Sequence, residues 1–187
     1  MKIAFFYYDR FAEFEIALSW FVLSGKHTLI ATALEARSYA SMEGQRFLID
    51  KPLNELDPME IGMLVIPGGV PAPIRNNPQL KKFIGTILEH GGTVAGICGG
   101  SELLASCGFL DGRECTGEGT GVEETDDSFP LYAKAKLTDR HVVVDGNVIT
   151  AQGQAHAEFA VELGLKSGTF TTSEDAHGML QWLKNIR

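Results

Sequence analysis

The run Thr93-Val94-Ala95-Gly96-Ile97-Cys98-Gly99-Gly100-Ser101 constrains the fold of this chain more than any other. A short apolar stretch leads to a cysteine at Gly-x-Cys-x-Gly spacing, and helix-forming Glu102-Leu103-Leu104-Ala105 follow at once. This is the cysteine counterpart of the nucleophile elbow, in which a strand turns sharply into a helix and lifts one side chain clear of the sheet. The flanking residues must be small, because a larger side chain would clash in so strained a turn. A buried cysteine beside an ordinary glycine-rich loop is the competing reading, since free cysteine is among the most buried residue types. Strand, glycines and helix all stand where the elbow requires them, and on that ground the elbow is preferred.

The rest of the chain repeats the same alternation. Lys2–Tyr8 reads as a strand buried on both faces. Glu13–Ser24 is a helix apolar on nearly every side, stopped by Gly25. Thr28–Ala36 is strand-like, and Arg37–Asp50 reads as a hairpin or extended excursion turning at Glu43-Gly44. Met63–Ile66 is a further buried strand, ended by Pro67-Gly68-Gly69. A well-marked helix follows, with Asn77 as N-cap, Pro78 at its first position, His90 in its last turn and Gly91 beyond it. Later come strand-like Ala133–Leu137, a hairpin of Val142–Val144 and Val148–Thr150 around Asp145-Gly146-Asn147, and helices over Ala155–Leu163 and Ser173–Ile186. Alternating β and α segments predict an α/β fold, a mostly parallel sheet with helices on both faces. No repeat or linker divides residues 1–187, so one domain is expected.

Charge and cysteine usage exclude several function classes. The formal net charge is −8, which argues against sequence-independent binding to nucleic acid or to an anionic membrane. No apolar run is long enough to span a bilayer, and Asp9, Arg10, Glu13 and Glu15 break up the apolar N-terminus, so no signal peptide is read there. Three cysteines without C-x-x-C spacing give neither a disulfide framework nor a zinc site. The expectation is a cytoplasmic protein with no metal and no cofactor.

In open α/β sheets chemistry gathers at the carboxyl ends of the strands. Cys98 is placed there. So is Pro67-Gly68-Gly69-Val70-Pro71, whose glycines let the backbone approach a bound group. The N–H of Gly69 could then join that of Gly99 as an oxyanion hole, although a plain turn after a strand explains the same residues. Glu15 lies one turn into the apolar first helix. In a low-dielectric setting its pKa would rise, leaving a neutral acid that donates a hydrogen bond to a Cys98 thiolate and keeps it reactive near neutral pH. The alternative treats Glu13 and Glu15 as favourable charges at a helix N-terminus.

The chain resembles the ThiJ/PfpI superfamily, relatives of the class I glutamine amidotransferase domains and of the parkinsonism-associated deglycase. The resemblance is carried by Ala12-Glu13-Phe14-Glu15, Leu64-Val65-Ile66-Pro67-Gly68-Gly69, Ala95-Gly96-Ile97-Cys98-Gly99-Gly100, and Leu103-Leu104-Ala105 with Gly108-Phe109-Leu110-Asp111-Gly112-Arg113. Val144-Asp145-Gly146-Asn147-Val148-Ile149-Thr150-Ala151 and Glu158-Phe159-Ala160 complete it, in order from Lys2 to Leu165. It implies a flavodoxin-like three-layer sandwich, homodimerisation, and a Cys98–Glu15 pair in which Glu15 supports the thiolate.

Departures from the family pattern narrow the expected chemistry. Peptidase members carry a histidine directly after the nucleophile, where this chain has Gly99. Others place one about twenty residues on, where this chain reads Cys115-Thr116-Gly117-Glu118-Gly119. Glutamine-hydrolysing relatives use a His-x-Glu pair, which His156-Ala157-Glu158 offers, with His156 as general base oriented by Glu158. Glu118, Glu123, Glu124, Asp126 and Asp127 form an acidic loop that either overhangs the site, with Glu118 a candidate third member beside His156 and Glu158, or is simply solvated. Cys107 reads as core. The expected function is a cysteine-dependent hydrolase, lyase or hydratase acting on a small carbonyl or amide-like substrate, and not a peptidase. Two alternatives stand beside it: a redox-responsive stress or chaperone-like protein sensing oxidation at Cys98, and an amidase or glutaminase using Cys98, His156 and Glu158.

Overall fold

The structure is a computed structural model and describes residues 1–185. In chain order the strands and helices are β1 (Lys2–Phe6), α1 (Phe14–Ser24), β2 (Thr28–Ala33), β3 (Tyr39–Ala40), β4 (Arg46–Phe47), β5 (Lys51–Pro52), β6 (Ile61–Ile66), α2 (Pro78–Glu89), β7 (Thr93–Ile97), α3 (Gly99–Ser106), β8 (Glu114–Cys115), β9 (Lys136–Leu137), β10 (Val142–Asp145), β11 (Val148–Ala151), α4 (His156–Ser167) and α5 (Ser173–Lys184). Seven of the strands form one sheet in the order β10-β11-β7-β6-β1-β2-β5. All its pairings are parallel except β10 with β11. This is the mostly parallel α/β sheet that the alternation predicts, with the flavodoxin-like layering that the resemblance implies.

The helices divide by the direction of each crossover. The chain passes from β1 through α1 to β2 in one direction along the sheet, and from β6 through α2 to β7 in the other. Right-handed crossovers therefore put α1 and α2 on opposite faces. Helix α4 packs on α1 and α5 on α4, while α2 and α3 contact β6 and β7. The central strands are buried on both faces: Ile3, Ala4, Phe5, Leu64, Val65, Val94, Ala95 and Ile149 are all inaccessible, which explains their unbroken apolar runs. Strand order reverses between β1 and β6, so the loops after these strands diverge and leave a crevice at their carboxyl ends.

Most local expectations match, with small differences at the ends. Asn77 caps α2 by accepting the N–H groups of Gln79 and Leu80, both at 3.0 Å. Gly91 follows the helix at φ 78°. The excursion after β2 is the β3–β4 hairpin, with Tyr39 opposite Phe47. Beyond it lies β5, a short parallel edge strand against β2 that no hydrophobic run announced. Gly25 does end α1, but at φ −72° rather than in a left-handed turn. The strand expected over Ala133–Leu137 shrinks to β9, because Phe129–Tyr132 form a 3-10 turn that brings the Tyr132 ring into the core. Helix α5 extends to Lys184, and the end expected at Ile186 lies outside the described residues.

Candidate active site at Cys98

Cys98 joins β7 to α3 at φ 51° and ψ −123°. Non-glycine residues rarely hold such a conformation, which stores about 1–3 kcal/mol of strain. Two contacts leave no relaxed alternative. A Cβ on Gly96 would stand 2.7 Å from the Gly100 carbonyl carbon, and one on Gly100 would collide with the Ile66 carbonyl oxygen. Helix α3 thus sits directly on the ends of β6 and β7, and the chain can reach it only through a sharp turn at Cys98. The Cys98 N–H still donates to Ala151 O at 2.8 Å, continuing the pairing with β11. Cys98 is half-buried, and its side chain lies between the backbones of Gly68 and Gly153.

Glu15 meets this sulfur from α1. Its residue is 2% exposed, and Oε2 accepts the Gly68 N–H at 2.7 Å. The glycines on either side show how closely the two groups lie. A Cβ on Gly68 would collide with Glu15 Oε2 and stand 3.0 Å from Cys98 Sγ. On the opposite wall, a Cβ on Gly153 would stand 2.8 Å from Glu15 Oε1 and 3.4 Å from Sγ. Only glycine backbone fits on both sides of the pair. Tyr8, at the end of the β1 run, donates its hydroxyl to Gly68 O at 2.6 Å and Pro67 O at 3.0 Å, so it holds the turn whose N–H engages Glu15.

Electrostatics departs from the simple expectation of a lowered cysteine pKa. Burial pushes the Glu15 carboxyl up to about 7, against the opposing hydrogen bonds from Gly68 and Cys98. Burial pushes the Cys98 thiol up as well, and the negative charge of Glu15 adds to it, while the Gly99 N–H acts in the opposite sense. Two unit charges in contact there repel by about 4 kcal/mol at an effective dielectric of 20. The groups therefore titrate as a pair that gives up its first proton near pH 7 and keeps the second well above it. The Gly99 N–H and the N-terminus of α3 are the groups that favour an anion on sulfur when the remaining proton passes to Glu15.

The two glycines expected as an oxyanion hole come together here. A Cβ on Gly99 would lie 3.2 Å from Gly69 O. Gly69 is at φ 117°, where a side chain would run into the Arg10 carbonyl and stand 2.7 Å from Phe11 Cα. Bonds on either side, Ala12 N–H to Gly68 O at 2.9 Å and Val70 N–H to Arg10 O at 3.1 Å, fix the loop. The Gly69 N–H makes no backbone hydrogen bond among the described residues.

His156 and Glu158 do not assemble into a triad. Glu158 forms an ion pair with Lys184 of α5; burial would raise its pKa, but this pairing outweighs burial and holds it low. The His156 ring packs edge-on against Phe14 at 6.0 Å, and its Nδ1 lies 3.4 Å from Gly153 O. Neither side chain hydrogen-bonds to Cys98 or to the other among the described residues. Residues two apart on a helix point in different directions, so an i, i+2 pair on α4 cannot converge.

The acidic loop divides instead. Glu123, Glu124 and Asp127 are exposed, whereas Asp126 is half-buried and so is Glu118. It stands at φ 52°, its carbonyl accepts the Gly153 N–H at 2.8 Å, and its Oε1 accepts the Ser128 hydroxyl at 2.5 Å. A buried Glu102, on the first turn of α3, pairs with Arg75. Tyr8, Gly153 and the Arg75–Glu102 pair have no motif to betray them, and the loop motif containing Gly68 does not name Glu15 as its partner. The one sequence signal was the position of Tyr8 at a strand's carboxyl end. Cys107 and Cys115 are buried thiols, and among the described residues no three or more His, Cys, Asp or Glu side chains are grouped so as to hold a metal ion.

Comparison with known proteins follows the same outline. The sequence pattern described as the DJ-1/PfpI family matches residues 1–164. A protein of Pyrococcus furiosus named deglycase PfpI is 30% identical over 154 residues, 81% of this chain and 90% of that protein. A deglycase of Pyrococcus horikoshii is 28% identical over the same length and shares. Among solved structures, a DJ-1 superfamily protein of Agrobacterium tumefaciens superposes over 100% of both chains with a TM-score of 0.81 at 26% identity. A thiJ/pfpI family protein of Bacillus anthracis does so over 98% of this chain and 90% of its own, with a TM-score of 0.82 at 26% identity.

Proposed function

Because the chain belongs to the DJ-1/PfpI family, we propose that it is an enzyme whose nucleophile is Cys98 and whose proton carrier is Glu15, acting on a small carbonyl or amide-like electrophile. The observation that carries this reading is the strained cysteine at φ 51° facing a carboxyl group that is 2% exposed. The thiolate adds to the electrophilic carbon, forming the S–C bond while the π electron pair moves onto oxygen or nitrogen. The N–H groups of Gly69 and Gly99 hold that developing charge. Glu15 gives its proton to the heteroatom and takes one back when the adduct collapses or is hydrolysed. Relatives named deglycases make adducts of sugars or dicarbonyls with amines a reasonable first substrate class to try. The absence of a histidine after Cys98 is a reason to set peptidase activity aside.

Two further features complete the proposal. Helix α1 exposes a stripe of Phe14, Ala17 and Phe21, and Phe21 stacks on Trp182, which is 68% exposed. Beside it lies a cavity of about 740 Å³ lined by Phe11, Phe14, Trp20, Phe47 and Leu48. A second copy of this chain is the occupant proposed for that apolar face, giving a homodimer. No helix among the described residues is long and apolar enough to cross a membrane, and three free thiols suit the reducing cytoplasm.

The test is a turnover screen of small aldehydes, sugar or dicarbonyl adducts of amines, amides and isonitriles, with Cys98→Ser as control. Turnover lost by at least about a hundredfold in that variant is expected. Turnover that survives the substitution would remove Cys98 from the mechanism.

A further inference from the structure

We propose that Glu118 is a charge filter over the Cys98 site, so that the enzyme accepts small electrophiles that are neutral or cationic and rejects those carrying a carboxylate or phosphate. This inference rests on the reading of Cys98 as nucleophile and adds the class of substrate to it.

The strap between β8 and Val122 is tied down along its length. Thr116 N–H donates to Thr150 Oγ1 at 3.0 Å. Gly117 presses so closely on α3 and the Tyr132 ring that a Cβ there would lie 2.8 Å from the Tyr132 hydroxyl and 3.0 Å from Ser101 Cβ. The carbonyls of Glu118 and Gly119 accept the N–H groups of Gly153 and Gln154, at 2.8 and 3.2 Å. Gly153 is itself one wall of the Cys98–Glu15 pair, with a Cβ position 3.2 Å from Cys98 Cβ. Glu118 is thus anchored one residue contact away from the reacting sulfur. Its left-handed backbone at φ 52° turns the side chain back over the loop, where Ser128, 3% exposed, holds Oε1.

Charge makes the placement consequential. A Glu118 carboxylate adds to the upward push on the pKa of Cys98, Glu15, Tyr8 and Tyr132, which puts it within electrostatic reach of the sulfur. The nearby cation, Arg75, is bonded to Glu102. Glu102 and Glu118 thus share one cation, and the surroundings of Cys98 carry net negative charge. With Oε1 occupied by Ser128, Oε2 is left to accept a hydrogen bond. A substrate bearing an N–H or O–H beside its electrophilic carbon fits this acceptor; an anionic group in the same place is repelled.

Alkylation of the full-length protein tests this without knowledge of the substrate. Iodoacetamide and iodoacetate attack the same thiolate, so the ratio of their rate constants at Cys98 cancels the thiolate fraction and reports the local charge. Rates would be followed by peptide mass analysis at pH 8.5, since Cys107 and Cys115 are also free. In the folded protein the iodoacetamide-to-iodoacetate ratio should exceed that of the same cysteine in the urea-unfolded chain by about tenfold. Glu118→Gln, which keeps an acceptor for Ser128, should bring the ratio back most of the way. Equal ratios in the folded and unfolded chain would overturn the filter even if the variant failed to fold. A raised ratio that Glu118→Gln leaves in place would assign the selectivity to another group and overturn it too. A Cys98 inert to both reagents when folded would instead overturn the nucleophile reading, and the filter with it.

Discussion

At the scale of single residues, the pair Cys98–Glu15 is defined by the proton it shares. Glu15 titrates near 7 when folded, against 4.5 for an ordinary glutamate. A carboxyl group raised on folding stabilises the native state below about pH 4.5, and that contribution fades as pH climbs to about 7. The difference amounts to roughly 3 kcal/mol. Glu15→Gln removes this dependence and still accepts the Gly68 N–H. Urea unfolding at pH 5 and pH 8 should therefore show the variant gaining on the parent as pH rises; parallel curves would mean that Glu15 is already ionised at low pH. The same variant should lose turnover by about a hundredfold or more, while Cys98 remains open to alkylation. Loss of both would make Glu15 a support for folding alone.

At the scale of elements, the elbow is a consequence of how α3 docks. Gly100 lies where a Cβ would enter the Ile66 carbonyl, so Gly100→Ala should destabilise by about 1–3 kcal/mol in chemical unfolding. The strain at Cys98 predicts that Cys98→Gly unfolds at the same or higher denaturant than Cys98→Ala, by up to about 1 kcal/mol after the flexibility of glycine is offset. An alanine variant clearly the more stable would mean that the turn is not strained. Helix α4 shows where a motif misleads. His156-Ala157-Glu158 has the composition of a catalytic pair, yet α4 begins at His156, and helical geometry sends Glu158 towards Lys184. That divergence was legible once the helix start was known. Glu118 is the opposite case: five acidic residues in one loop look alike in sequence, and only the bonds to Gly153 and Ser128 single one out.

At the scale of the whole molecule, the reversal of strand order between β1 and β6 gathers the site. It brings the loops after β1 and β6 beside the end of β7, so residues from three distant segments converge. The apolar face of α1 predicts sedimentation as a dimer at micromolar concentration, and Phe14→Lys with Phe21→Lys should yield a monomer that keeps its secondary structure. A parent that sediments as a monomer would leave that face to some other occupant. The sequence by itself determined the parallel sheet, because doubly buried strands must be apolar throughout. It determined the elbow too, because only glycines fit at positions 96 and 100 on either side of that turn, and through its motifs it determined the family. Tertiary structure alone decided which polar groups meet. A hydrogen bond or a shared proton depends on ångström-scale approach between segments far apart in the chain, and local periodicity holds no record of that distance. Thus Glu15 was nameable from a motif, but its burial, its Gly68 partner and the bonds that hold Glu118 came only with the packed molecule.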